Sequence, residues 1–210
     1  MTERLDPART ALLFFDMLNG HVKKDDAATK ARYAPVIAAA VRLIEAARRL
    51  GVVVMYAAAH HRPDNATSAH LITDTDNRLR PVPPGEPREL KPVVAAGTWE
   101  AQVIDELKPQ PQDYMIPKFR WSAFHQTYLD LALRNRNIDT LLISGGSTDV
   151  GVASTAYAAR DLDYNLVVAS DACTSPEQDN HAQFMRRVFP RMARVRTVDQ
   201  IVRMLTKEET

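Results

Sequence analysis

Asp16, Lys118 and the turn Gly145-Gly146-Ser147-Thr148-Asp149-Val150-Gly151 are the residues of this sequence whose types could act together on a small molecule. Each follows an apolar run of strand length, so each belongs at the carboxyl end of a strand. In an open parallel sheet that edge is where ligands bind, near the point at which the strand order switches. A carboxyl and an ammonium meeting there can shift each other's ionisation and divide proton transfer from charge stabilisation. Charges at loop ends also form plain structural ion pairs, and spacing leaves both readings open.

Other groups compete for a role. The hydroxyls of Ser147, Thr148 and Ser154 lie near the turn, but no histidine is placed beside them in the sequence to act as a base. Cys173, the single cysteine, follows the fifth apolar run and reads as a packing residue. His60, His61, Asp64 and His70 have the residue types of a zinc or iron site. His60, His61 and Arg62 could instead hold a substrate carboxylate, or remain solvated loop residues. Trp121, three residues after Lys118, and Trp99 could wall a pocket and keep water from an acid, or simply pack.

The elements that must position these groups alternate between strand-length runs and segments of helical period, the pattern of βαβ units. Six strands are expected: Thr10–Phe15, 52–57, 114–117, 140–144, 166–169 and 193–196. Helices are expected at 33–50, 98–107, 123–134, 150–161, 178–188 and 198–205. The first strand is apolar on both faces, which makes it central and covered by helices on either side. The fold class is therefore α/β, a Rossmann-like three-layer sandwich around a six-stranded parallel sheet. Residues 58–97 carry Pro63, Pro81, Pro83, Pro84, Pro87 and Pro92 and little periodicity, a long excursion of the functional or disordered kind. With no internal repeat, one domain over residues 1–210 is expected.

Composition narrows the partners. Lys and Arg number 27 against 26 Asp and Glu, a net charge of +1, which provides no electrostatic footprint for nucleic acid and no polybasic patch for a membrane. One cysteine allows no internal disulfide, and no apolar stretch is long enough to span a bilayer, so a cytoplasmic protein acting on a small molecule is expected.

Three stretches together resemble one known family. Ala11-Leu12-Leu13-Phe14-Phe15-Asp16-Met17, then Lys118-Phe119-Arg120-Trp121-Ser122-Ala123-Phe124, then Asp139 to Ala156 are similar, in order and spacing, to the three motifs of the isochorismatase-like hydrolases. The resemblance implies a site in which Asp16 is the acid/base and Lys118 its partner, with a non-proline cis peptide near Gly146-Ser147. It places Gly151 where amidases of the family carry a nucleophilic cysteine. Glycine has no nucleophile, and isochorismatases proper also have glycine there. Gly151 is thus compatible with a non-covalent hydrolase in which water attacks and the N–H groups of Ser147 and Gly151 bind developing negative charge. Replacing the cysteine would leave space at the helix N-terminus for water or a substrate carboxylate. Two further readings are a non-catalytic small-molecule-binding member and an amidase inactivated by Cys-to-Gly replacement. Leu18 stands where the family usually has glutamine, and the isochorismate-pocket segments have no clear counterpart between His60 and Trp99. The metal site of related nicotinamidases is broken by Ala57-Ala58-Ala59, so no metal and no cofactor is expected. The family also implies a homo-oligomer, a dimer or tetramer.

Overall fold

A computed structural model describes residues 3–68 and 94–206. The strands are β1 (Thr10–Phe15), β2 (Val53–Ala59), β3 (Tyr114–Lys118), β4 (Thr140–Gly146), β5 (Asn165–Thr174) and β6 (Arg194–Arg196). They form one parallel sheet in the order β3-β2-β1-β4-β5-β6. All six residues of β1 are buried, as its two-sided apolar run requires.

The helices are α1 (Asn19–Val22), α2 (Ala27–Arg49), α3 (Leu129–Asn135), α4 (Ala153–Asp161), α5 (Gln178–Gln183) and α6 (Val198–Thr206). Period-2 alternation sends Leu12 and Phe14 into one core with Leu43 and Ile44 of α2 and Ile201 of α6. Ala11, Leu13 and Phe15 enter the other core with Leu133 of α3 and Ala156 of α4. The sheet is therefore covered on both faces, the expected α/β sandwich. Because β1 pairs with β2 on one side and β4 on the other, the strand order switches at β1, and a crevice opens between its carboxyl end and that of β4.

Several element boundaries differ from the expectation. α2 begins at Ala27, not near residue 33, because Asp26 caps it through a 2.7 Å bond from the Thr29 N–H, and the helix runs through Pro35. Residues 98–107 are two single 3₁₀ turns, Trp99–Ala101 and Asp105–Leu107. Between them the chain is extended, with Val103 bridged to Leu18 and the Ile104 N–H donated to Met17 O. The helix expected from residue 123 starts only at Leu129. The Thr127 hydroxyl binds Ala123 O, and Gln126 adopts φ 54°, so the first turns cannot form. Residues 148–152 form a wide π turn before α4, and a second π turn at Phe184–Val188 continues α5. β5 reaches Thr174 because a register shift re-pairs Cys173 with Gly145, which puts Cys173 inside the strand rather than after it. Among the described residues no helix is long and apolar enough to cross a membrane.

Candidate functional site

The chain leaves β1 at Asp16 in the left-handed region, φ 49°, with its N–H bound to Ala57 O at 2.9 Å. Aspartate is among the few residues with a side chain that adopt this conformation readily. The turn directs its carboxylate back across β2. Its Oδ1 accepts the Ala59 N–H at 3.0 Å and its Oδ2 accepts Lys118 Nζ at 2.7 Å. Lys118 ends β3 beside Ala59, so it spans one intervening strand to make the pair. Both side chains are largely withdrawn from water, at 13% exposure for Asp16 and 7% for Lys118. Breaking such a pair strands a desolvated charge, at a cost of about 3–5 kcal/mol.

Opposite stands the end of β4. Gly145 pairs with Phe15 and the Gly146–Ser147 peptide is cis. A cleft of about 340 Å³ lies between the two edges, within the size range of small-molecule sites. Asp16, Lys118, Trp121, Gly146, Ser147 and Gly151 all line it, so six residues singled out in the sequence meet here. Trp121 is 70% exposed at the rim. Its loop is tied to α4 by the Ala123 N–H donating to Thr155 Oγ1 at 3.0 Å.

Three others do not line the cleft. Trp99 stands on a 3₁₀ turn, 55% exposed. Arg62 is exposed and forked onto Asp64, Nε to Oδ1 at 3.0 Å and Nη2 to Oδ2 at 2.6 Å, which pulls the Asp64 carboxyl down to about 2. His61 packs edge-on against Phe119, and burial lowers its pKa. Among the described residues no group of three His, Cys, Asp or Glu side chains could hold a metal ion, and His70 lies outside them.

The space expected beside Gly151 is filled. A Cβ built there would fall 2.1 Å from Phe15 Cε1 and 2.3 Å from its Cζ. The same ring lies under Lys118 Nζ, 4.4 Å from the centroid, in cation–π geometry. Phe15 and Gly151 are thus complementary in shape, and the ring supports the lysine whose partner is Asp16.

Sequence reasoning missed the outer wall, which is formed by His21, Lys24, Arg32 and Tyr33. Burial lowers the His21 pKa and raises that of Tyr33. The early start of α2 places Arg32 on the helix ahead of Tyr33, and the Asp26–Thr29 cap was the signal available in the sequence. A histidine also stands beside the turn after all: His181 Nδ1 lies 2.9 Å from Thr148 Oγ1. It arrives from α5, and Thr148 is fully buried. Cys173 is buried too, its thiol pushed up to about 12 by desolvation, which makes it a packing residue.

A doubly wound parallel sheet with a charged cleft at its switch point defines the class. The isochorismatase domain matches residues 10–200, and the chain belongs to the isochorismatase family. It is 30% identical over 202 residues to the isochorismatase family protein YwoC of Bacillus subtilis, covering 96% of each chain. The ureidoacrylate amidohydrolase RutB of Pseudomonas savastanoi pv. phaseolicola is 33% identical over 185 residues, 80% of this chain and 72% of RutB. An isochorismatase family protein from Burkholderia thailandensis superposes with a TM-score of 0.77 at 29% identity, over 98% of this chain and 100% of that one.

Proposed function

We propose that this isochorismatase-family chain is a hydrolase of a small molecule, using acid–base chemistry at Asp16 and Lys118, water as the nucleophile and no covalent adduct. The observation that carries the cysteine-free route is the Phe15 ring, 2.1 Å from where a side chain at position 151 would begin. A thiol there would require the Phe15 ring to shift from its place, which speaks against an amidase inactivated by replacement of one cysteine.

Both Asp16 oxygens accept hydrogen bonds, one from an ammonium and one from a peptide N–H, which fixes the carboxylate in the cleft where a water can be held against it. Water held there loses a proton to Asp16 as its oxygen bonds to the substrate carbonyl carbon. The N–H groups of Ser147 and Gly151 take the resulting negative charge, and Lys118 holds Asp16 in place. When the carbonyl reforms, Asp16 returns the proton to the departing nitrogen. Amides and ureides fit this order of events better than enol ethers, which need a proton donor first; RutB, an amidohydrolase, points the same way.

The test is turnover of a panel of small amides, ureides, enol ethers and ring compounds by the unmodified protein and by Asp16→Asn. Chelator is present throughout, and one arm follows iodoacetamide treatment. A compound consumed by the alkylated protein and spared by Asp16→Asn supports the proposal. A panel left intact overturns it in favour of a binding protein.

A further inference from the structure

The cations that line the cleft differ in their partners. Lys118 is matched by Asp16, whereas Lys24 and Arg32 have no acidic partner within 4.0 Å among the described residues. Asp26, whose carboxyl feels the charges of both, caps the Thr29 N–H instead of pairing with either. Of the cleft's acids and permanent cations, three are cations and one is an acid. With the Asp16–Lys118 pair set aside, two positive charges remain.

Arg32 is incomplete as it stands. Its Nε is shielded from solvent and has no acceptor among the described residues. Its Nη2 makes only a 3.4 Å contact with Thr29 Oγ1, and its guanidinium lies 5.3 Å from the Tyr33 ring centroid. A shielded donor without an acceptor is costly and uncommon in native proteins, and an unoccupied ligand position is one of the few explanations for it. A guanidinium edge presents two parallel N–H donors, the match for a planar carboxylate. Lys24, exposed and also lining the cleft, adds a positive charge that favours an anion there.

We propose that the cleft binds a small organic carboxylate, its carboxylate on Arg32 with Lys24 beside it and the remainder directed toward Asp16 and Lys118. The position of a scissile bond over that pair rests on the hydrolase reading; binding of the carboxylate does not.

The experiment compares succinamate with succinamide, which differ only in one carboxylate, by calorimetry on the full chain and by quenching of the rim tryptophan Trp121. Tighter binding of succinamate by about tenfold or more is expected, as for a charge-assisted contact of about 1.4 kcal/mol. Arg32→Gln is expected to remove the preference by weakening succinamate, and Arg32→Lys to restore part of it. Equal affinities, a preference that survives Arg32→Gln, or no succinamate binding below about 10 mM overturns the proposal. Turnover without the preference would sink the carboxylate site and leave the hydrolase standing. The preference without turnover of any amide would do the reverse.

Discussion

On the β1–β3 side of the cleft, Asp16 is held by one ammonium and one peptide N–H, with the cleft open before it. On the β4–β5 side, Asp149 is held by three neutral donors. Its Oδ1 accepts Ser147 Oγ at 2.5 Å and also Ser175 Oγ, and its Oδ2 accepts Asn180 Nδ2 at 2.8 Å. Burial pushes the Asp149 carboxyl up, yet these bonds together hold it below its usual range. The two half-buried carboxylates differ in the donors that hold them. On the proposed reading, the acid that faces the cleft exchanges the proton, whereas the acid ringed by two hydroxyls and an amide fixes the turn that carries Ser147.

The sharpest way to break this contrast is to neutralise each acid in turn. Asp16→Asn and Lys118→Met are expected to lower kcat/KM by about 10²–10⁴, the range of positioned acid–base groups, with the circular dichroism spectrum retained. Asp149→Asn keeps the shape of the ring and is expected to cost less than about tenfold on the same substrate. Equal losses from the two would mean that both carboxylates handle the proton.

Packing separates the two sides next. Gly151→Cys drives a side chain into the Phe15 ring and is expected to destabilise by about 1–3 kcal/mol or more, read as a lowered Tm. Phe15→Val makes room. The double variant should therefore be more stable than the sum of the two single changes, a coupling that a urea titration of all four proteins measures. Additive effects would show that the ring moves aside freely and does not exclude a nucleophile. On the other side, Asp149→Ala leaves Ser147, Ser175 and Asn180 without their shared acceptor and is expected to cost about 1–3 kcal/mol in the same titration.

Much of this was legible from sequence, because β1, β2 and β4 are apolar on both faces and so declare themselves central strands, with Asp16 and the Gly145-Gly146 turn at their ends. Lys118 was legible as the residue that ends the short run Tyr114–Pro117, although β3 is a partly exposed edge strand. What stayed hidden depends on crossings that no local pattern records. Phe15 reads as one more core residue of β1, and only the descent of the turn after β4 onto its ring reveals that it faces Gly151. His181 reaches Thr148 across 33 residues. Arg32 was overlooked because the helix was expected only from residue 33, whereas the Asp26 cap lets α2 begin at Ala27; Tyr33, though within the expected helix, carried no local sign that it faces the cleft.

The smallest expected effect sharpens the comparison through two histidines, one near each acid. Burial lowers the pKa of both His21 and His181 from 6.5, while Asp16 opposes it at the first and Asp149 at the second. At His21, Lys118 and Lys24 add to the lowering. The native protein therefore keeps these imidazoles neutral while the unfolded chain binds a proton at each near pH 6.5, so the unfolded state holds more protons below that pH. Their contribution to stability is complete above about pH 6.5 and is lost as pH falls, by no more than about 1.4 kcal/mol per proton per pH unit. Urea titrations between pH 7 and pH 5 measure the slope, which His21→Gln and His181→Gln should each reduce. Imidazole NMR titrations then separate the sides: Asp16→Asn is expected to lower the His21 midpoint further, and Asp149→Asn that of His181. A His21 midpoint unmoved by Asp16→Asn would mean that Lys118 screens the carboxylate from the rest of the cleft, and the open side would then be as self-contained as the closed one.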